Sequence, residues 1–213
     1  MNRRKPYHHG NLREALLEAS IQLIAEIGPS AFTLREVARR AGVSHNAPYR
    51  HFTDKDSLLA AVAAQGYSEL NDAMLQAANR RTDALDRLKH AGLAYIEFAL
   101  RRPEHFTVMF DAPFSKQTNP EAARASERAF STLVSLVKDS QDQRLLTPDP
   151  LTLQFALLAW TMVHGIAKLA ITGRLPYRSR AKILEFAKFV IDESLPKLST
   201  GNRGPLPDAI NLT

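Results

Sequence analysis

Apolar residues along this chain of 213 residues recur three and four positions apart in block after block, with glycine, proline and small polar residues between the blocks. That period belongs to the α-helix, because residues i, i+3, i+4 and i+7 share one face. Leu12, Leu16, Ala19, Leu23 and Ile27 make the first stripe, which Asn11 and Glu14 can open as a capping box and Gly28-Pro29 stops. Thr33 and Glu36 form another such box. Leu34, Val37 and Ala38 follow as the apolar face, Arg35, Arg39 and Arg40 point elsewhere, and Gly42 supplies the left-handed end. Ser44 is an N-cap for a third short helix, His45 to Phe52, about 12 Å long. Longer helices are predicted from Lys55 to about Ala78 and from Asp83 to Arg101, and a short one from Glu104 to Phe110. Asp111 to Pro120 reads as a loop, Pro120 to about Ser140 as a helix, and Pro150 to Thr172 as a helix apolar nearly all round. Ser179 to Leu195 is amphipathic: Ile183, Phe186, Ala187 and Val190 share a face opposite Lys182, Glu185 and Asp192. Gly173 and Pro176 allow a reversal between these last two helices. No alternating strand-length run with hairpin chemistry occurs. The expected fold class is all-α.

Thr33 to Phe52 carries the most chemistry. Two short helices on a tight Ala41-Gly42-Val43-Ser44 turn, the second about as long as the major groove is wide (~12 Å), make a helix-turn-helix. Ser44, His45, Asn46, Tyr49 and Arg50 offer donors, acceptors and an aromatic ring within two turns. Arg50 could fork onto a guanine and Asn46 could pair with an adenine. Thr33, at a helix N-terminus, is placed for a phosphate. Phe52 packs inward as a buried aromatic. His51 is either a backbone contact or a histidine bridging helices by a hydrogen bond. Arg3, Arg4 and Lys5 form an arm that either follows DNA or is simply solvated.

Charge adds to this picture only when it is divided along the chain. Residues 1–55 hold 9 Lys/Arg against 5 Asp/Glu, net +4, while residues 56–213 hold 19 against 17, net +2. Most of the excess therefore lies with the helix-turn-helix, as a phosphate-binding face requires. The chain is 45% hydrophobic, enough for a substantial core, and its lack of cysteine excludes disulfides, thiolate zinc sites and cysteine nucleophiles. No apolar run is read as reaching the roughly 20 residues of a bilayer span, and the basic start lacks a secretory apolar core. The expectation is a cytoplasmic protein without membrane contact.

Phe32-Thr33-Leu34, Val37-Ala38, Ala41-Gly42-Val43-Ser44, Tyr49-Arg50-His51-Phe52 and Lys55-Asp56-Ser57-Leu58-Leu59 resemble the N-terminal domain of the TetR family of transcriptional regulators, in one register from about Asn11 to Val62. Asn46 stands where a small residue is frequent and Pro48 where leucine is. Proline there lacks the N–H that would bond the cap carbonyl, which predicts a tight or irregular start to the helix. The resemblance implies an N-terminal three-helix bundle (1–55), a larger helical ligand-binding and dimerisation domain (56–198) and a loose tail (199–213). It also implies phosphate contacts at Tyr49, His51 and Lys55, Lys55 opening the next helix. Trp160, His164 and Gly165, with the entry Tyr7-His8-His9-Gly10-Asn11-Leu12, resemble the subgroup with a WHG-type C-terminal domain. The family's C-terminal domain dimerises through its last two helices and encloses a small-molecule pocket.

Tyr95, Phe98, Phe106, Met109, Phe110, Phe130, Trp160 and His164 are candidate pocket residues, each also explicable as plain core. Such a set suits an apolar or aromatic effector. His105 and His164 could orient a ligand or bind a metal, but neither has a partner ligand at i+3 or i+4, so satisfied structural histidines are expected, with no metal and no cofactor. No G-x-S-x-G, phosphate loop, H-E-x-x-H or Rossmann glycine cluster is present, which argues against an enzyme. The expected function is a homodimeric repressor, released from a pseudo-palindromic double-stranded operator by a small molecule. The alternatives are an activator of the same fold and a hydrophobic-ligand carrier.

Overall fold

The structure, a computed structural model, describes residues 12–112, 115, 119–146 and 152–195. Those residues form eight α-helices and no strand, as the helical periodicity requires: α1 Leu12–Ile27, α2 Leu34–Ala41, α3 Lys55–Ala78, α4 Ala84–Arg101, α5 Pro103–Asp111, α6 Pro120–Asp142, α7 Thr152–Ile171 and α8 Arg180–Ser194. The Asn11 cap, the basic arm and the tail beyond Ser199 lie outside the described residues.

Local chemistry sets the ends of the helices around the short N-terminal turn. In α2 the Thr33 N–H donates to Glu36 Oε2 at 2.7 Å and the Glu36 N–H donates to Thr33 Oγ1 at 3.3 Å, so the box closes in both directions. Gly42 ends the helix at φ 72°, a conformation that costs a residue with a Cβ. An equivalent pair opens α3, where the Ser57 N–H donates to Asp54 Oδ1 at 2.7 Å and the Asp54 N–H donates to Ser57 Oγ at 3.2 Å.

Between α2 and α3 the structure departs from expectation. In place of an eight-residue α-helix over 45–52 there is a turn closed by Ala47 N–H to Ser44 O (2.9 Å), followed by a 3-10 turn, Pro48–Arg50. Pro48 has no N–H to give to Ser44 O four residues back, and its ring crowds that carbonyl, so an α-helix cannot pass this point. Ser44 O takes its bond from Ala47 instead, and Ala47 rather than Ser44 caps the turn.

The chain packs as two compact units, one drawn from residues 1–73 and 97–132, the other from 74–96 and 133–213. In the first, α1 packs on α2 and α5, with Leu16, Leu17, Leu23, Val37, Ala38 and Phe106 at its core. Gly66 lets α3 and α5 approach closely: a Cβ there would lie 2.6 Å from Met109 Sδ and 3.2 Å from His105 Cβ. Beside it the Tyr67 hydroxyl donates to Met109 O at 2.8 Å. In the second unit α7 packs on α8, and Gly92 of α4 abuts Val163 and Ile191. Arg87–Asp139 (3.0 Å) and Lys89–Asp192 (3.0 Å) tie α4 to α6 and α8.

α7 corrects one sequence expectation. At 20 residues it is long and apolar enough to cross a bilayer, because Gln154, Thr161, His164 and Lys168 are spread along it instead of interrupting it. Phe155, Ala156, Ala159, Val163, Ile166 and Ala167 are buried within its unit, so one side of the helix faces the core while Leu153, Leu157, Leu158 and Leu169 stay exposed on the other.

Candidate nucleic-acid interface

The segment from Ser44 to Phe52 is held by what it buries. Ala47, Pro48 and Phe52 turn inward, Phe52 being 3% exposed, and the Arg13 guanidinium lies 6.0 Å from the centre of its ring. The remaining residues are thereby turned outward. Ser44, His45, Asn46, Arg50 and His51 are exposed, and Tyr49 is 51% exposed. Six of the expected DNA-facing residues are thus exposed, and Thr33 is exposed at the start of the adjoining helix. The inward position of Phe52 follows the expectation for a buried aromatic.

Lys55 differs from the rest. Its ammonium donates to Ser30 O at 2.7 Å and lies 4.7 Å from the centre of the Phe32 ring, and partial burial holds its pKa below the usual lysine value. Two cations not singled out from sequence as contacts, Arg35 and Arg39, are exposed one helical turn apart on α2. Their i, i+4 spacing was the available signal. Arg40, by contrast, forks onto Glu26 and holds that carboxylate below its ordinary pKa. Glu36 is likewise held low by its bonds to Thr33, and Asp54 by the Ser57 N–H. Glu26, Glu36 and Asp54 are therefore committed to structural bonds.

The candidate pocket residues fall into two groups. In the second unit the Trp160 N–H donates to the Tyr95 hydroxyl at 3.2 Å, and that hydroxyl is hydrogen-bonded to His164 Nδ1 at 2.9 Å. In the first unit Phe106 and Phe110 lie 4.8 Å apart, with Tyr67 edge-on to Phe110 at 5.7 Å and Met109 on the Gly66 seam. Phe98 is buried and Phe130 half-buried. His105 belongs with this second group, and the expectation of a hydrogen-bonded structural histidine is not met there, because apolar packing leaves its ring no polar neighbour to bond. It is 1% exposed, neither ring nitrogen has a hydrogen-bond partner, and burial pushes its pKa down. Among the described residues no cluster of His, Asp or Glu has the arrangement of a metal site.

Apolar side chains remain on the outside of α7 and α8: Leu153, Leu157, Leu158 and Leu169, and Phe189 at 65% exposure. Leu158, Thr161, Gly165 and Leu169 follow one another at helical spacing, and a Cβ built on Gly165 would have nothing within 4 Å among the described residues.

Comparison with known proteins gives two family matches. Residues 16–62 match a family described as bacterial regulatory proteins, tetR family, and residues 88–193 match a tetracyclin repressor-like C-terminal domain. The chain is 40% identical over 60 residues to the HTH-type transcriptional repressor Rv3405c of Mycobacterium tuberculosis, a match that spans 28% of this chain and 32% of that protein. A solved structure of a protein with unknown function from Rhodococcus sp. RHA1 superposes with a TM-score of 0.76 at 30% identity, covering 91% of this chain and all of the other. The structure of AibR in complex with isovaleryl coenzyme A and operator DNA superposes with a TM-score of 0.69 at 19% identity, covering 87% and 98%, which is a likeness of fold.

Proposed function

Because the chain belongs to the TetR family of bacterial regulatory proteins, we propose that it is a homodimeric, effector-responsive repressor acting on double-stranded DNA in the cytoplasm. Residues 1–55 read the DNA, and residues 56–198 hold the effector and the second copy. The observation that carries this reading is the outward row His45, Asn46, Tyr49 and Arg50, backed by the buried Ala47, Pro48 and Phe52. Amide, imidazole, phenol and guanidinium together can meet base edges and phosphates, and burial of their neighbours fixes which way they face. A single short reading segment contacts few base pairs, so two copies on a pseudo-palindrome are required for selectivity.

The exposed Leu158, Thr161 and Leu169 on α7, with half-buried Gly165 at the same helical spacing and exposed Phe189 on α8, support self-association, since a small residue on such a face admits a second helix at close range. The aromatic candidates Tyr95, Phe98, Phe106, Met109, Phe110, Phe130, Trp160 and His164 support an apolar or aromatic effector. Effector binding favours a conformer in which the paired reading segments no longer match successive major grooves.

Selection of duplexes from a random-sequence library, followed by gel shift, tests the proposal. The expected outcome is enrichment of an inverted repeat bound by a dimer. Recovery of unrelated sequences bound with equal affinity would refute it. Light scattering should give twice the chain mass for the wild type and a shift toward monomer for Leu158→Lys.

A further inference from the structure

Resting on the reading that residues 33–52 face DNA, we propose that His105 makes the first unit acid-responsive: a proton drives its ring out of the seam between α3 and α5, and the loosened seam lowers affinity for DNA. The ring sits where an ion cannot stay. It is 1% exposed, and neither nitrogen has a hydrogen-bond partner. Its Cβ lies 3.2 Å from where a Cβ on Gly66 would stand, and Phe106, the next residue, is fully buried. A neutral imidazole holds that place with one donor and one acceptor left unpaired. An imidazolium brings two donors and a whole charge, which apolar surroundings do not accept.

Once released, the charged ring has groups that favour it. Glu69 of α3, Glu104 of α5 and Glu18 of α1 act for the charge, and Arg102 at the N-cap of α5 acts against it. Glu69 acts most strongly of the three carboxylates, and is itself bonded to Gln65 at 2.9 Å and to Arg102 at 3.3 Å. Tyr67, also on α3, spends its hydroxyl on Met109 O. While the ring is seated, burial outweighs the carboxylates and holds its pKa below the ordinary histidine value.

The seam reaches the reading segment within one packing unit. Met109 stands one turn beyond His105 on α5, covers Gly66 and accepts the Tyr67 bond, so expulsion of the ring disturbs both ties to α3. α1 packs against both α5 and α2, and its Arg13 lies 6.0 Å from the centre of the Phe52 ring. A shift of α5 is thereby passed to the buried residue behind Tyr49 and Arg50.

Linkage fixes the sign. The released ring binds a proton near pH 6.5 and the seated ring only below that, so the seated form is fully favoured above 6.5 and loses ground as pH falls. Between pH 7.5 and pH 5.0 the ratio of released to seated forms rises by up to about thirtyfold. Anisotropy titrations of a duplex recovered by library selection, at both pH values and without effector, test the consequence. Comparison at each pH with His105→Leu cancels the other titrating groups, His45 and His51 included. Wild-type affinity, relative to the variant, should fall several-fold from pH 7.5 to pH 5.0. Hydrogen exchange at the Val108 to Phe110 amides, corrected for its intrinsic pH dependence, should accelerate over the same interval relative to α7 in the wild type and not in the variant. An affinity ratio independent of pH, or unchanged α5 exchange, would overturn the proposal. If the leucine variant does not fold, His105→Gln replaces it; if neither folds, wild-type exchange decides. Failure to recover any selected duplex would sink the DNA reading and the predicted loss of affinity, while the exchange measurement still decides whether a proton opens the seam.

Discussion

Tyr49 and Phe52 stand three residues apart and face opposite ways, one half in solvent and the other 3% exposed. The difference predicts how each responds to substitution. Tyr49→Ala removes no buried contact, so stability should stay within about 0.5 kcal/mol of wild type. Affinity for a selected duplex should fall about tenfold, read by fluorescence anisotropy with helicity and oligomeric state as controls; unchanged affinity would remove Tyr49 from the interface. His105 makes a second residue-level prediction. Glu69 of α3, Glu18 of α1, Arg102 at the N-cap of α5 and Glu104 of α5 act on it electrostatically, but desolvation dominates and its folded pKa is depressed. The unfolded chain therefore binds a proton near pH 6.5 that the native state refuses, so stability is full above that value and declines as pH falls toward the folded pKa. Urea midpoints at pH 7.5 and pH 5.0 should differ more for wild type than for His105→Leu. An equal difference would show that the imidazole titrates freely in the fold.

At the scale of elements, α2 depends on its first and last residues because eight residues are too few to form a stable helix from propensity alone. Thr33→Ala removes the side-chain half of the box and should lower stability by about 1 kcal/mol, measured by thermal unfolding. These ends were legible in the sequence, since a box and a left-handed glycine are chemistry between residues three or four apart. Pro48 was legible in the same way: its missing N–H predicted a tight start, and the structure extends that effect over the whole recognition segment. The apolar length of α7 was underestimated, because scattered polar residues mask a high mean hydropathy. The Lys55–Ser30 bond, the Gly66–Met109 seam and the orphaned imidazole of His105 were not legible. Each depends on residues brought together by packing, and periodicity carries no information on which faces meet.

The first packing unit of the whole molecule is built from two stretches of chain separated by a third. Tyr67 and Gly66, from the earlier stretch, are satisfied and covered by Met109 and His105 from the later one. A fragment ending at Ala73 should therefore lack cooperative unfolding by circular dichroism, while the same fragment supplied with residues 97–132 has the means to recover it. A sharp, two-state melt of residues 1–73 alone would show that α5 is dispensable to that unit. The functional division proposed at residue 55 thus cuts across the unit that holds the proposed DNA-facing segment.

That interleaving bears on how such a regulator can be rewired. Swapping the front of this chain for that of a relative, to give a new operator preference under the same effector, would leave a foreign α3 against a native α5. Any donor residue larger than Gly66 would force the Met109 side chain aside and press on His105 Cβ, 3.2 Å away. A hybrid that exchanges residues 97–132 together with the head, or keeps glycine at that crossing, avoids this displacement.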